Sequence, residues 1–132
     1  MAQIALIDDD MTEAVLLDAL LSHTGRSDQL THFESVNAFL AHNSQRSFDL
    51  VMLDRRLPPY RDYRESLSAL AQSAYMGPFL LLTAGETRPE ELAALPVANQ
   101  ILGPVQKTGL TTPEAVGDAI ENALKQNSPG AD

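Results

Sequence analysis

The sequence has no cysteine and no tryptophan, and its aromatic residues are four phenylalanines and three tyrosines. Without cysteine there is no disulfide framework, no thiolate metal site and no cysteine nucleophile. Positive charge is also scarce. Nine Lys and Arg face eighteen Asp and Glu, a formal net charge of −9, and only Arg55 and Arg56 are adjacent. Proteins that grip nucleic acid draw much of their affinity from phosphate neutralisation by clustered bases. Direct nucleic-acid binding is therefore not expected, and the charge suits solubility and a protein partner. No apolar run approaches the length of a membrane span. Met1-Ala2-Gln3-Ile4 lacks the basic region of a secretory leader. These absences together give an expectation of a cytoplasmic protein with no membrane insertion. Glycine is missing where a phosphate-cradling loop would need it, because the first strand-to-helix turn reads Asp8-Asp9-Asp10.

What is present reads as one α/β domain. A chain of 132 residues can bury a single core without covalent staples. Ile4–Ile7, Gln29–Phe33, Phe48–Leu53, Phe79–Leu82 and Gln100–Gln106 read as strands, mostly continuous apolar runs of the kind found in sheets covered on both faces. Gly103-Pro104 marks the last as an edge strand. Between them lie helical stretches. Asp10 caps the first, with Glu13 completing a capping box, and that helix is expected to stop near Gly25. Its apolar side is read as Val15, Leu16, Ala19 and Leu20, with Leu17 and Leu21 beside them. Val36–Ala41, Arg64–Ala74 and a short segment from about Pro89 to before Pro96 follow, with Gly77-Pro78 ending the third helix. Thr112-Pro113-Glu114 opens the last helix, which packs Val116, Ile120, Ala123 and Leu124. The order βαβαβαβαβα implies a flavodoxin-like, doubly wound parallel sheet of five strands in the order 2-1-3-4-5, helices on both faces. Residues 1–126 are expected to form the domain and 127–132 a polar tail, with no effector domain expected.

Ligands of such sheets bind beyond the carboxyl ends of the strands. Those ends carry Asp8 and Asp9 (first), Asp54 (third), Thr83 (fourth) and Lys107 (fifth). Singly, an Asp after a strand is most often a turn or cap residue, which describes Asp10, and a lone Thr or Lys there is usually unremarkable. Four strand ends with complementary chemistry favour a joint reading. Clustered carboxylates repel one another, and a hard divalent cation such as Mg2+ resolves the conflict. Such a site suits phosphoryl transfer to an aspartate.

Three segments resemble the receiver domain of two-component response regulators. Ala5-Leu6-Ile7-Asp8-Asp9-Asp10 is similar to its first strand and acidic pair. Phe48-Asp49-Leu50-Val51-Met52-Leu53-Asp54-Arg55-Arg56-Leu57-Pro58 is similar to its phosphoacceptor strand and turn, and Leu81-Leu82-Thr83-Ala84 to its switch-threonine strand. Lys107, followed by Leu110-Thr111 and Pro113-Glu114, matches the family lysine and the start of the last helix. The resemblance implies that Asp54 is the phosphoacceptor, that Asp9 binds Mg2+ directly and Asp8 through water, and that the Arg56 backbone carbonyl completes the protein ligands. It further implies that Thr83 follows the phosphoryl oxygen and that Lys107 pairs with Asp54 before phosphorylation and with the phosphoryl group after it. Three departures stand out. Pro59-Tyr60-Arg61-Asp62-Tyr63 lacks the glycine usual after the phosphoacceptor loop proline, Thr108 replaces the proline usual after the lysine, and Pro104 occupies the place of the switch aromatic. Arg55 and Arg56 are unusual neighbours of the site, and Tyr60 and Tyr63 are candidates for a partner surface.

The expected function is that of a stand-alone receiver in a phosphorelay. A histidine kinase or histidine phosphotransfer protein donates to Asp54, and a changed surface on the fourth and fifth helices signals to another protein. Such a domain catalyses its own aspartyl phosphorylation and dephosphorylation without being a conventional metabolic enzyme, and is a monomer or weak dimer. The alternative is a receiver-like binding module that works without phosphorylation. A haloacid-type phosphatase is a poorer fit, because Arg56 stands where the leaving-group acid is required.

Overall fold

The computed structural model describes residues 2–25, 28–42, 48–54, 68–70, 73, 75, 77–83, 101–106 and 109–126. Five parallel strands, β1 (Gln3–Ile7), β2 (Gln29–Phe33), β3 (Leu50–Asp54), β4 (Phe79–Thr83) and β5 (Ile101–Gln106), form one sheet in the order β2-β1-β3-β4-β5. The helices α1 (Met11–Ser22), α2 (Val36–Leu40) and α3 (Pro113–Gln126) accompany them, and residues 68–70 are also helical. This is the sheet order expected from the sequence.

Alternation along each strand sorts its side chains between two cores. Ala5, Ile7, Val51, Leu53, Phe79 and Leu81 face α2 and the 68–70 turn, where they meet Val36, Phe39 and Leu70. Ile4, Leu6, Leu50, Met52, Leu80 and Leu82 face α1 and α3, where they meet Leu17, Leu21, Val116 and Ile120. β3 and β4 are buried along their whole length. That is why both read as unbroken apolar runs.

The first core holds all four phenylalanines of the chain together with Tyr75. Phe33 stacks edge-on against Phe39, with ring centres 5.3 Å apart. Tyr75 is fully buried and donates its hydroxyl proton to the Pro78 carbonyl. Gly77 is required beneath it, because a Cβ there would stand 2.6 Å from the Tyr75 hydroxyl. Burial, helped by the nearby Asp49 carboxylate and opposed by a hydrogen bond from the Val51 backbone, pushes the phenol above its ordinary pKa of 10.0.

Local signals account for the element ends. Asp10 caps α1, accepting at Oδ1 from the N–H groups of Thr12 (2.9 Å) and Glu13 (3.4 Å). Beyond α1, Gly25 takes φ 79°, the left-handed conformation that suits glycine. Thr112 caps α3 through Oγ1, which accepts from Ala115 N–H at 3.1 Å. In β5 the register slips: Leu80 pairs with Leu102 but Leu82 with Val105, so Gly103 and Pro104 together oppose Leu81. The expected edge strand is there, with the proline inside a bulge where a missing N–H does least harm.

One reading needs correction. The expected inward side of α1, Val15, Leu16, Ala19 and half-buried Leu20, is largely not the buried one. The buried residues are Leu17 and Leu21, expected beside that side, together with Ala14. Eight of the twelve α1 residues are apolar, so periodicity alone could not choose between adjacent stripes. Met11, Val15 and Leu16 are instead 66%, 63% and 57% exposed. The strands needed only a small adjustment: β3 starts at Leu50 rather than Phe48, while Asp54 and Thr83 end β3 and β4 as expected. The Pro89–Pro96 helix, most of the Arg64–Ala74 helix and the 127–132 tail lie outside the described residues.

Candidate functional site

The register of the sheet builds the site. Ile7 pairs with Leu53, so the next residues on the two strands, Asp8 and Asp54, come side by side where β1 and β3 end. Asp54 pairs across with Leu82, which puts Thr83 one position further along the same edge. Asp9 follows Asp8 in the turn to α1. One carboxylate oxygen from each of Asp8, Asp9 and Asp54 lies within 4.8 Å of the other two. Asp8 and Asp54 are buried, Thr83 is buried, and Asp9 is exposed. Among the described residues these three are the only buried polar or charged ones, and all three sit on one edge of the sheet.

Asp8 is held from several directions. Its N–H donates to the Phe33 carbonyl at 3.0 Å, continuing the ladder one step past β1. Its carboxylate Oδ1 accepts from Asp10 N–H at 2.9 Å. Its own carbonyl accepts from His32 Nε2 at 2.6 Å. The Asp10 N–H, which a capping box would offer to Glu13, is thus engaged by Asp8.

Three carboxylate oxygens at this spacing form a hard, oxygen-only donor set. That matches Mg2+, Ca2+ or Mn2+ rather than a thiolate-loving ion. Their mutual repulsion is relieved by a cation placed among them. The residues fit a divalent hard metal.

Of the site residues expected from the sequence, Asp8, Asp9, Asp54 and Thr83 are brought to one edge. Arg55, Arg56, Tyr60, Tyr63, Lys107 and Thr108 lie outside the described residues, and of Pro104 only the backbone is described. The sequence reading missed His32. No motif marks it, and only the register Leu6↔His32, one residue short of the end of β1, brings its ring up to Asp8.

Beside the acids, Leu6, Asp8, Glu13, Leu16, Leu17, Leu82 and Leu110 line a small cleft of about 110 Å³. It opens next to the exposed apolar residues of α1. No described helix is long and apolar enough to cross a membrane.

No protein-family model matches the sequence, and no curated protein matches it. Solved structures do. The non-phosphorylated HemR receiver domain from Leptospira biflexa is 22% identical, with a TM-score of 0.66 over 98% of this chain and 98% of that one. The N-terminal domain of a response regulator/sensory box/GGDEF protein from Carboxydothermus hydrogenoformans is 20% identical, with a TM-score of 0.67 over 94% of each chain. The chemotaxis response regulator CheY4 of Vibrio cholerae is 20% identical, with a TM-score of 0.61 over 93% of this chain and 98% of that one. With its strand order and its acids gathered at the carboxyl edge, the chain has the fold of the response-regulator receiver domains.

Proposed function

We propose that this protein is a receiver that accepts a phosphoryl group on Asp54 from a phosphohistidine donor. The observation that carries the reading is the meeting of Asp8, Asp9 and Asp54 at the carboxyl edge of a receiver-type sheet. Asp9 and Asp54 would hold Mg2+, with Asp8 and the Arg56 carbonyl as the remaining protein groups of the site. When bound, the ion draws off charge from the transferred group and lets the acids stay ionised together. An Asp54 carboxylate oxygen attacks phosphorus, the P–N bond to the donor imidazole breaks, and the released ring nitrogen takes up a proton. In the reverse phase, water attacks phosphorus, the P–O bond to Asp54 breaks, and inorganic phosphate leaves. Thr83 orients a phosphoryl oxygen, and Lys107 balances its charge.

The donor docks beside the acids. Met11, Val15 and Leu16 expose an apolar face at the same edge, and α1 carries Glu13 and Asp18 but no base. That composition suits an apolar helical surface rimmed by Lys or Arg, as a histidine kinase or phosphotransfer protein would supply. In this reading the domain comprises residues 1–126, works in the cytoplasm as a monomer or weak dimer, and signals by protein contact.

Incubation with acetyl phosphate tests the proposal. Wild type is expected to gain one phosphoryl group in intact-mass spectra only with Mg2+, and Asp54→Asn none. Wild type and Asp54→Asn behaving alike would leave the phosphorylation-independent binding module, the alternative that Pro104 in the β5 bulge favours.

A further inference from the structure

The first acid of the site depends on a donor from the edge strand. Past Ile7 the chain leaves the sheet, but the Asp8 N–H is still bonded to Phe33. A continuing parallel ladder would next bring the Ser35 N–H to the Asp8 carbonyl. β2 ends at Phe33, however, and Ser35 serves as the N-cap of α2, its hydroxyl accepting from Ala38 N–H. His32 takes over that task, with Nε2 lying 2.6 Å from the Asp8 oxygen. A carbonyl only accepts, so the ring nitrogen facing it carries a proton.

We infer that His32 is a positioning residue for the metal site, acting through the peptide that joins Asp8 to Asp9. That carbonyl and the Asp9 N–H belong to one rigid plane. Fixing its oxygen fixes the direction in which the backbone presents both acids. The Asp8 carboxylate is meanwhile held from the other side by the Asp10 N–H. The inference rests on the metal-binding reading above and adds a residue to it. Outer-shell bonds of this kind typically alter metal affinity about 10–100-fold when removed. One bond to the backbone of one ligand is expected to act at the lower end of that range.

The test is Mg2+ titration of folded protein by calorimetry, with melting temperature measured in parallel. His32→Leu removes the donor, His32→Asn shortens it, and His32→Gln returns an N–H at similar reach. Wild type is expected to bind Mg2+, His32→Gln to stay within about threefold, and His32→Leu and His32→Asn to weaken about tenfold. A purely structural role would lower the melting temperature of His32→Leu and leave the dissociation constant of the folded protein unchanged. That result would overturn the inference while leaving the phosphoacceptor reading intact. Absence of Mg2+ binding by wild type would overturn both. Should His32→Leu fail to fold, the Asn and Gln pair decides, since both are polar and differ in reach. A long-range proton–nitrogen spectrum of the wild-type ring gives an independent answer. A proton on Nε2 is expected, and a neutral ring protonated only on Nδ1 would contradict the assignment.

Discussion

The body of the sheet and its carboxyl rim are built on opposite logic. In the body, every strand residue between Ile4 and Ile7, Leu50 and Leu53, and Phe79 and Leu82 is apolar and buried, and apolar packing alone satisfies it. At the rim, one residue further along the same strands, the buried groups are Asp8, Asp54 and Thr83. Burying carboxylates together costs free energy that packing cannot return. The difference teaches that the body was shaped for stability, whereas the rim gathers buried polar groups whose charge a bound cation would help to offset. Such local departures from folding logic are where function is expected to reside.

Substitutions should separate the two regions by sign. In the body, Phe39→Ala removes a ring fully buried among Phe33, Phe48 and Tyr75, and should cost about 3–5 kcal/mol in urea unfolding, with no gain of any kind from Mg2+ withdrawal. Tyr75→Phe should cost about 1–2 kcal/mol by losing the bond to Pro78. It should also change the alkaline limb. The unfolded phenol ionises near its ordinary pKa of 10.0 while the folded one resists, so wild-type stability is full below that pH and falls above it. The variant should lose less between pH 10 and 11 than wild type does.

At the rim the sign reverses. Asp54→Asn relieves part of the repulsion and should raise metal-free stability by about 1 kcal/mol while abolishing phosphorylation. Mg2+ at a hundredfold excess over its dissociation constant should stabilise wild type by about 2.7 kcal/mol and Asp54→Asn by far less. The smallest effect on stability belongs to the exposed face of α1. Val15→Thr with Leu16→Gln should change unfolding free energy by no more than about 0.5 kcal/mol. That double variant should nonetheless accept phosphoryl groups more slowly from a protein donor, and at an unchanged rate from acetyl phosphate.

The contrast also explains what the sequence could reveal. Strands of the body announce themselves because burial on both faces leaves an unbroken apolar run, as in Leu50–Leu53 and Phe79–Leu82. The rim was legible because four strand ends carry complementary chemistry together, Asp8 and Asp9, Asp54, Thr83 and Lys107, although each alone would pass as a turn or cap residue. The side of α1 was not legible, since a helix apolar almost all round offers no polar face from which to infer the buried one. Tyr75 and His32 escaped for a different reason. The Tyr75 role rests on a side-chain bond to Pro78 three residues on, in a segment with no regular period, and the His32 role on a ring meeting the Asp8 carbonyl 24 positions away. Local pattern carries no trace of such pairings.

Mg2+ titration of wild type beside Asp9→Asn and Asp54→Asn tests the central claim most directly, because one acid lies in the turn after β1 and the other ends β3, yet both are held to share one ion. Saturable one-to-one binding by wild type, weakened at least tenfold in each variant, is the predicted result. Equal binding by all three proteins, or none by wild type, would contradict it.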